Sequence, residues 1–343
     1  MSDKFNKYQL SLKKFIIGQS VLANYSLKDQ IIRITNNNEC ILPITLLTIM
    51  SGQRRQNQLK QIHGYDMATG IELLMVLIDL LEFKKKIFTF PKILTSDPKY
   101  NSLFQNNTID ILQYSLTSLI NLSLIKNLDL LRPHTHSNNM TDMFLVCSEQ
   151  INDKLNKIIS SILTLEIPDN LKNLSRTDLK TFHFPENYSF DDLLTIKRLP
   201  KDFLLKFITD TFGNACKLTL ILGWILGGCQ KDLLGNLDRI GYHFGIILKL
   251  AYDFSNIIED MQTGIQNKLS FSYVINFGLQ DAFELFDDSR CKFIEGILTI
   301  GITSSTIKEL VDILANKVYT ILDNTSPNIR RSSSTASFTS SNL

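Results

Sequence analysis

The residues with the most chemistry in this chain are oxygen donors at helical spacing. Asp253, Asn256, Glu259 and Asp260 fall within about two turns, and carboxylates joined by a neutral amide oxygen suit one hard divalent cation. The same residues have an internal use. Lys249 stands one turn before Asp253, a spacing that pairs opposite charges on a helix, and both uses stay open. Asp79 and Glu82, three apart, make a second pair on one helical face, but Lys84, Lys85 and Lys86 follow them. Lysines repel a metal and suit a solvated helix C-terminus. His134 and His136 form an H-x-H pair beside Asp142, read as an unliganded surface loop rather than a metal site. The five cysteines are scattered without a C-x-x-C pair, so they read as packing residues in a reducing compartment. No G-x-S-x-G, P-loop or dinucleotide fingerprint is present.

The elements that must position these groups are helices. Apolar residues recur at helical intervals, as in Ile71, Leu74, Met75, Ile78 and Leu81, or Ile240, Phe244, Ile247, Leu248 and Ala251. Strand-like alternation is scarce, and proline falls mostly between the periodic stretches, at Pro91, Pro98, Pro133, Pro168, Pro185 and Pro200. An all-α fold follows, with residues 1–323 as one domain. Residues 130–142 and 168–189 are expected to be surface loops, and Arg54 and Arg55 to lie on the surface. The Ser/Thr-rich tail, 324–343, is expected to be disordered. Its Arg330-Arg331-Ser332-Ser333 run reads either as a basic-directed kinase site or as an unmodified solvated segment.

Composition excludes some partners. Hydrophobic residues make up 44% of 343 and the net charge is +2, which gives a sizeable core and no dense basic face for nucleic acid. Residues 218–229 are the most lipid-like stretch, but Lys217 and Lys231 close it at about 12 residues, against the ~20 needed to cross a bilayer. It is expected to be a buried helix, with peripheral membrane contact left open. The polar N-terminus lacks the apolar core of a secretory signal, so the expected location is intracellular, cytoplasmic.

Four segments in order carry a resemblance. GYHFGIILKLAYDFSNIIEDMQTGIQNKLSFSYVINFGLQDAFELF (241–286) resembles the G-x-x-F-Q-x-x-D-D-x-x-D helix and following segment of trans-prenyl diphosphate synthases. Gly70 to Phe83 resembles the helix leading into the family's first aspartate-rich motif. Pro98 to Phe104 resembles its P-T-x-H-x-x-F segment, and Thr211 to Gly223 its K-T-G…L-G helix. The VINFG run and residues 292–310 are nearest to the synthases of large DNA viruses. The resemblance spans roughly 40–320 and implies an antiparallel helical bundle around a central cavity.

It also implies a chemistry: an allylic diphosphate is ionised and coupled to isopentenyl diphosphate, with Mg²⁺ ions anchored by two aspartate-rich helices. Here the anchors are thinned. The first aspartate pair falls near Glu82 and Phe83. At the second, Tyr252 replaces the leading aspartate, Asp253 is kept and Asn256 holds the third place. The double arginine falls on Leu94 and Thr95, the K-T lysine on Thr211, and the F-Q glutamine on Lys249, while Lys268 is kept. The early G-K-R-x-R-P segment is reduced to residues 37–43. The metal candidates the resemblance leaves are Asp253, Asn256, Asp260, Asp79 and Glu82, and the diphosphate candidates are Lys249, Lys268, Lys84 and Lys85.

Two functions are therefore expected from the resemblance. One is a non-catalytic or regulatory homologue with no cofactor, a partner subunit in a homodimer or in a heterodimer with an active synthase. The alternative is an active prenyltransferase with a rearranged Mg²⁺ site, binding isoprenoid diphosphates. Each lost charge-assisted contact costs on the order of 1.5–3 kcal/mol, which weighs against the second.

Overall fold

The computed structural model describes residues 40–89, 108–131, 137–176, 189–229 and 231–325, together with Leu10 and Lys14. Helix α1 (Ile41–Gln56) starts after Cys40, whose backbone is left-handed, and carries Pro43 in its first turn, where an amide donor is not needed. There follow α2 (Tyr65–Thr89), α3 (Thr108–Leu131), α4 (Ser137–Leu163), the short α5 (Phe190–Leu193) and α6 (Lys201–Ile208). A π-helical turn (Thr209–Gly213) leads into α7 (Asn214–Leu226). Then come α8 (Leu234–Ser255), α9 (Ile257–Asn267), α10 (Tyr273–Thr299) and α11 (Ser305–Thr325). Among the described residues the only extended pairings are single bridges, Asn173 with Lys197 and Lys197 with Leu269. The fold is all-α, as its periodicity predicts.

Helix α7 is the hub. Every residue in it except Lys217 is buried, and it packs against α1, α4 and α8. This is the lipid-like stretch of the sequence, used as a core helix. Among the described residues, no helix is long and apolar enough to cross a membrane. Helix α8 lies against α7 at very short range because two of its residues are glycines. A Cβ on Gly245 would stand 2.5 Å from the Gly213 backbone, and one on Gly241 would stand 2.6 Å from Lys217 Cα. On its other side α8 packs on α10, where the Phe244 and Phe293 rings stack at 4.6 Å.

Three expectations need correction. The loop expected over 130–142 is shorter, since α3 runs to Leu131 and α4 starts at Ser137. The polar S-N-N-M-T-D run is the opening of a helix anchored by burial further on, at Cys147 and Ile151, which overrides the weak helix propensity of Asn and Thr. Arg54 is not on the surface. It is 2% exposed, donating from Nε to the Lys60 carbonyl at 2.7 Å and from Nη1 to the Leu226 carbonyl at 3.0 Å. Its guanidinium thus satisfies a carbonyl at the C-terminal end of α7. Arg55 is exposed. Of the cysteines, Cys40, Cys147 and Cys216 are buried, Cys229 is half-buried and Cys291 is exposed, so only part of the set packs in the core.

Candidate functional site

The last turns of α8, the π-helical turn and the start of α10 meet around Asp253. Helix α8 presents Lys249 and Asp253 one turn apart on its inner face, and their side chains are only 10% and 2% exposed. Lys249 Nζ lies 3.0 Å from Asp253 Oδ1. Asp253 Oδ2 accepts the backbone N–H of Tyr273, the first residue of α10, at 2.7 Å. Both oxygens of the carboxylate are therefore engaged from inside the protein.

The surroundings are aromatic. Lys249 Nζ sits 5.4 Å from the centroid of the Phe212 ring, and Phe212 in turn tilts against Tyr252 at 6.1 Å. Phe212 is aimed there by the π-helical turn, whose extra residue offsets the chain between α6 and α7. Thr211, where the resemblance places a lysine, is fully buried and donates to the Phe207 carbonyl at 2.7 Å. Burial pushes the Asp253 carboxyl upward, Lys249 opposes that, and the neighbouring charge of Asp260 adds to it. Burial outweighs the ammonium at contact distance, so the carboxyl stays above its ordinary range.

Of the remaining candidates, only Asp260 is near enough for its charge to be felt at Asp253. Asn256 lies at the break between α8 and α9 and is exposed. Glu259 is exposed and Asp260 half-buried, on α9. Lys268 ends α9 in a left-handed conformation and donates from Nζ to Thr195 Oγ1 at 2.9 Å, in an exposed position. Asp79 is exposed on α2. The backbone of α2 continues through Glu82, Lys84 and Lys85, whose side chains lie outside the described residues, as do His134, His136 and the segment around Leu94 and Thr95. Among the described residues, no group of three or more His, Cys, Asp or Glu side chains is placed to hold a metal ion. The donor set at Asp253 does not fit Mg²⁺, because a lysine ammonium holds one oxygen and a peptide N–H the other.

Other polar groups organise the same region without a clear sequence signal. Asn276 is fully buried, accepts the Leu199 N–H at 2.7 Å, and donates to the Ser270 and Ser272 carbonyls at 2.8 Å each. It fixes the turn that delivers Tyr273 to Asp253. On the far side of α8, Asp238 receives Lys154 at 2.8 Å and Lys217 at 3.2 Å, tying α4, α7 and α8 together. The i, i+4 spacing of Lys249 and Asp253 is the one part of this arrangement that the sequence displays.

No protein-family model matches the chain, and no curated protein matches it by sequence. Solved structures do. A geranyltransferase from Helicobacter pylori, complexed with magnesium and isoprenyl diphosphate, superposes with a TM-score of 0.56 at 13% identity, covering 93% of this chain and 99% of that one. The Thermotoga maritima geranyltranstransferase gives 0.54 at 11% identity, covering 93% and 97%. An FPP/GFPP synthase from Zymomonas mobilis gives 0.52 at 12% identity, covering 90% and 99%. Identity this low establishes likeness of fold alone, and none of these similarities supports the expected nearness to viral synthases. Over most of its length the chain has the helical-bundle fold of the trans-prenyl diphosphate synthases.

Proposed function

We propose that this protein is a divergent trans-prenyl diphosphate synthase homologue that does not catalyse metal-dependent prenyl transfer and serves as a regulatory or partner subunit. The observation that carries this reading is the Lys249–Asp253 pair at 3.0 Å in a nearly dry site. A lysine at the place of the motif glutamine supplies, covalently, the positive charge that a metal would bring. The carboxylate that could have anchored Mg²⁺ is then neutralised and capped by Tyr273. Rebuilding a metal site here would require breaking a buried ion pair, at about 3–5 kcal/mol when one partner is left unpaired.

The partner role follows from what remains once catalysis is lost: a folded bundle whose outer helices can seat another subunit, either a second copy or an active synthase. Five free thiols, three of them buried, agree with an intracellular setting.

The test is incubation of the purified protein with labelled isopentenyl diphosphate, C5 to C20 allylic diphosphates and Mg²⁺. No product is expected, and calorimetric titration with Mg²⁺ should give no heat above dilution. Product that vanishes on Asp253→Ala would establish the rearranged-site transferase instead.

A further inference from the structure

The chain contains two pairs of adjacent arginines, Arg54-Arg55 and Arg330-Arg331, and the fold gives them different uses. Arg54 is buried, and its guanidinium is spent on the Lys60 and Leu226 carbonyls. Residues 55–64 contain no serine or threonine, so this pair has no hydroxyl to point an enzyme to. Arg330 and Arg331 are followed at once by Ser332, Ser333, Ser334 and Thr335.

Burial ends well before that run. Helix α11 extends to Thr325, Leu322 is the last buried residue among those described, and Asp323 and Asn324 are exposed; residues 326–343 lie outside the described residues. Ser333 comes eleven positions after Leu322, which at ~3.3 Å per residue gives a reach on the order of 30 Å from the bundle. Exposed hydroxyls on the helices are held differently. Thr299 and Thr320 donate to the Glu295 and Asn316 carbonyls of their own helices at 2.8 Å each. Presenting either to a catalytic base would mean undoing that bond and opening the turn.

Two guanidiniums in fixed register before a hydroxyl are a charge pattern of the kind by which kinases choose substrates, because each planar fork can grip a carboxylate of an acidic subsite with two hydrogen bonds. With Ser333 as acceptor, the arginines stand three and two residues before it. Residues 326–343 carry these two arginines and no Asp or Glu, and one phosphate, at about −1.5 to −2 near neutral pH, cancels that charge. The position matters too. Ile321 of α11 lines one open groove with Ser255, which follows Asp253 by two residues, so the chain leaves the bundle at the end that holds the Lys249–Asp253 pair.

We infer that Ser333 is a phosphorylation site for a protein kinase that recognises arginines three and two residues before its acceptor. The Ser333 hydroxyl oxygen attacks the γ-phosphorus of a nucleoside triphosphate, the bond from that phosphorus to the β–γ bridging oxygen breaks, the nucleoside diphosphate leaves, and the hydroxyl proton passes to the base of the kinase. The inference goes beyond the partner-subunit reading and does not depend on the Asp253 site being silent.

The test incubates the full chain with Mg²⁺, γ-labelled ATP and a purified kinase of that arginine specificity. Incorporation of ~1 phosphate per chain is expected. Trypsin, which cuts after Arg331, should release the label on the peptide 332–343, and fragmentation should place it on Ser333. Ser333→Ala and the double variant Arg330→Ala/Arg331→Ala should each lower the initial rate by at least ~10-fold, with helical circular dichroism unchanged. Absence of incorporation overturns the inference, as does label within 40–325, label on Ser332 or Ser334 in place of Ser333, or a rate that either variant leaves unchanged.

Discussion

Lys249 and Asp253, one turn apart on α8, close on each other at 3.0 Å with almost no exposure to water. The two charges cancel inside the protein.

Breaking that pair from one side should be costly. Lys249→Met strands a buried carboxylate, so urea unfolding is expected to show a loss of about 3–5 kcal/mol. The double variant Lys249→Met/Asp253→Leu removes both charges. It should recover most of the loss, short of the Tyr273 N–H that Asp253 accepts, whose orphaning costs about 1–3 kcal/mol. A double variant as unstable as the single would show that the stranded charge is not what destabilises Lys249→Met.

Two glycines in α8 should respond in opposite directions. Gly245→Ala places a methyl 2.5 Å from the Gly213 backbone, which cannot retreat by a rotamer change, and at least about 1–3 kcal/mol of stability should be lost. Gly235, near the start of the same helix, has open space around it. Gly235→Ala should be neutral or gain up to about 1 kcal/mol through helix propensity. Thermal melts of the two variants side by side check both.

Asn276→Ala removes an acceptor and two donors from a fully buried position. The Leu199 N–H and the Ser270 carbonyl lose this partner, at about 1–3 kcal/mol for each group left unsatisfied, while the Ser272 carbonyl keeps the backbone N–H of residue 276. Hydrogen exchange should report the lesion locally, with faster exchange at Leu199 and Tyr273 than in α7.

The pH dependence has a defined sign. Burial alone would raise Asp238, but Lys154 and Lys217 outweigh it and hold the carboxyl below its ordinary value. A lowered carboxyl contributes stability above the unfolded value near ~3.9 and loses it as pH falls through the folded value. Acid unfolding should therefore steepen below about pH 4, and Asp238→Asn should flatten that limb. Asp253 runs the other way: its raised value means that ionisation costs stability as pH climbs from about 4. Denaturation midpoints from pH 3 to 8 in the wild type and Asp238→Asn are the measurement, and identical acid limbs would refute the assignment.

Legibility in the sequence follows the range of the interaction. The helices are visible because burial on one side of a helix leaves a local periodic trace, as at Ile240, Phe244, Ile247 and Ala251. The helical opening at Ser137 is not, because polar residues start a helix only when later turns are anchored by packing. Within the site, Lys249 and Asp253 are legible as a pair at i, i+4.

What the sequence determined by itself, then, is the helical class and the local charge pairing, since both depend on residues within a turn or two of each other. Only the tertiary structure decided that the pair is sealed beneath Phe212, that Asp253 caps a helix starting twenty residues later, and that Arg54 is buried against the end of α7. Those outcomes depend on contacts such as Arg54 to Leu226, 172 residues apart. A close approach like that of Gly245 to Gly213 is set by the whole bundle, and nothing in the neighbouring residues of either glycine encodes it.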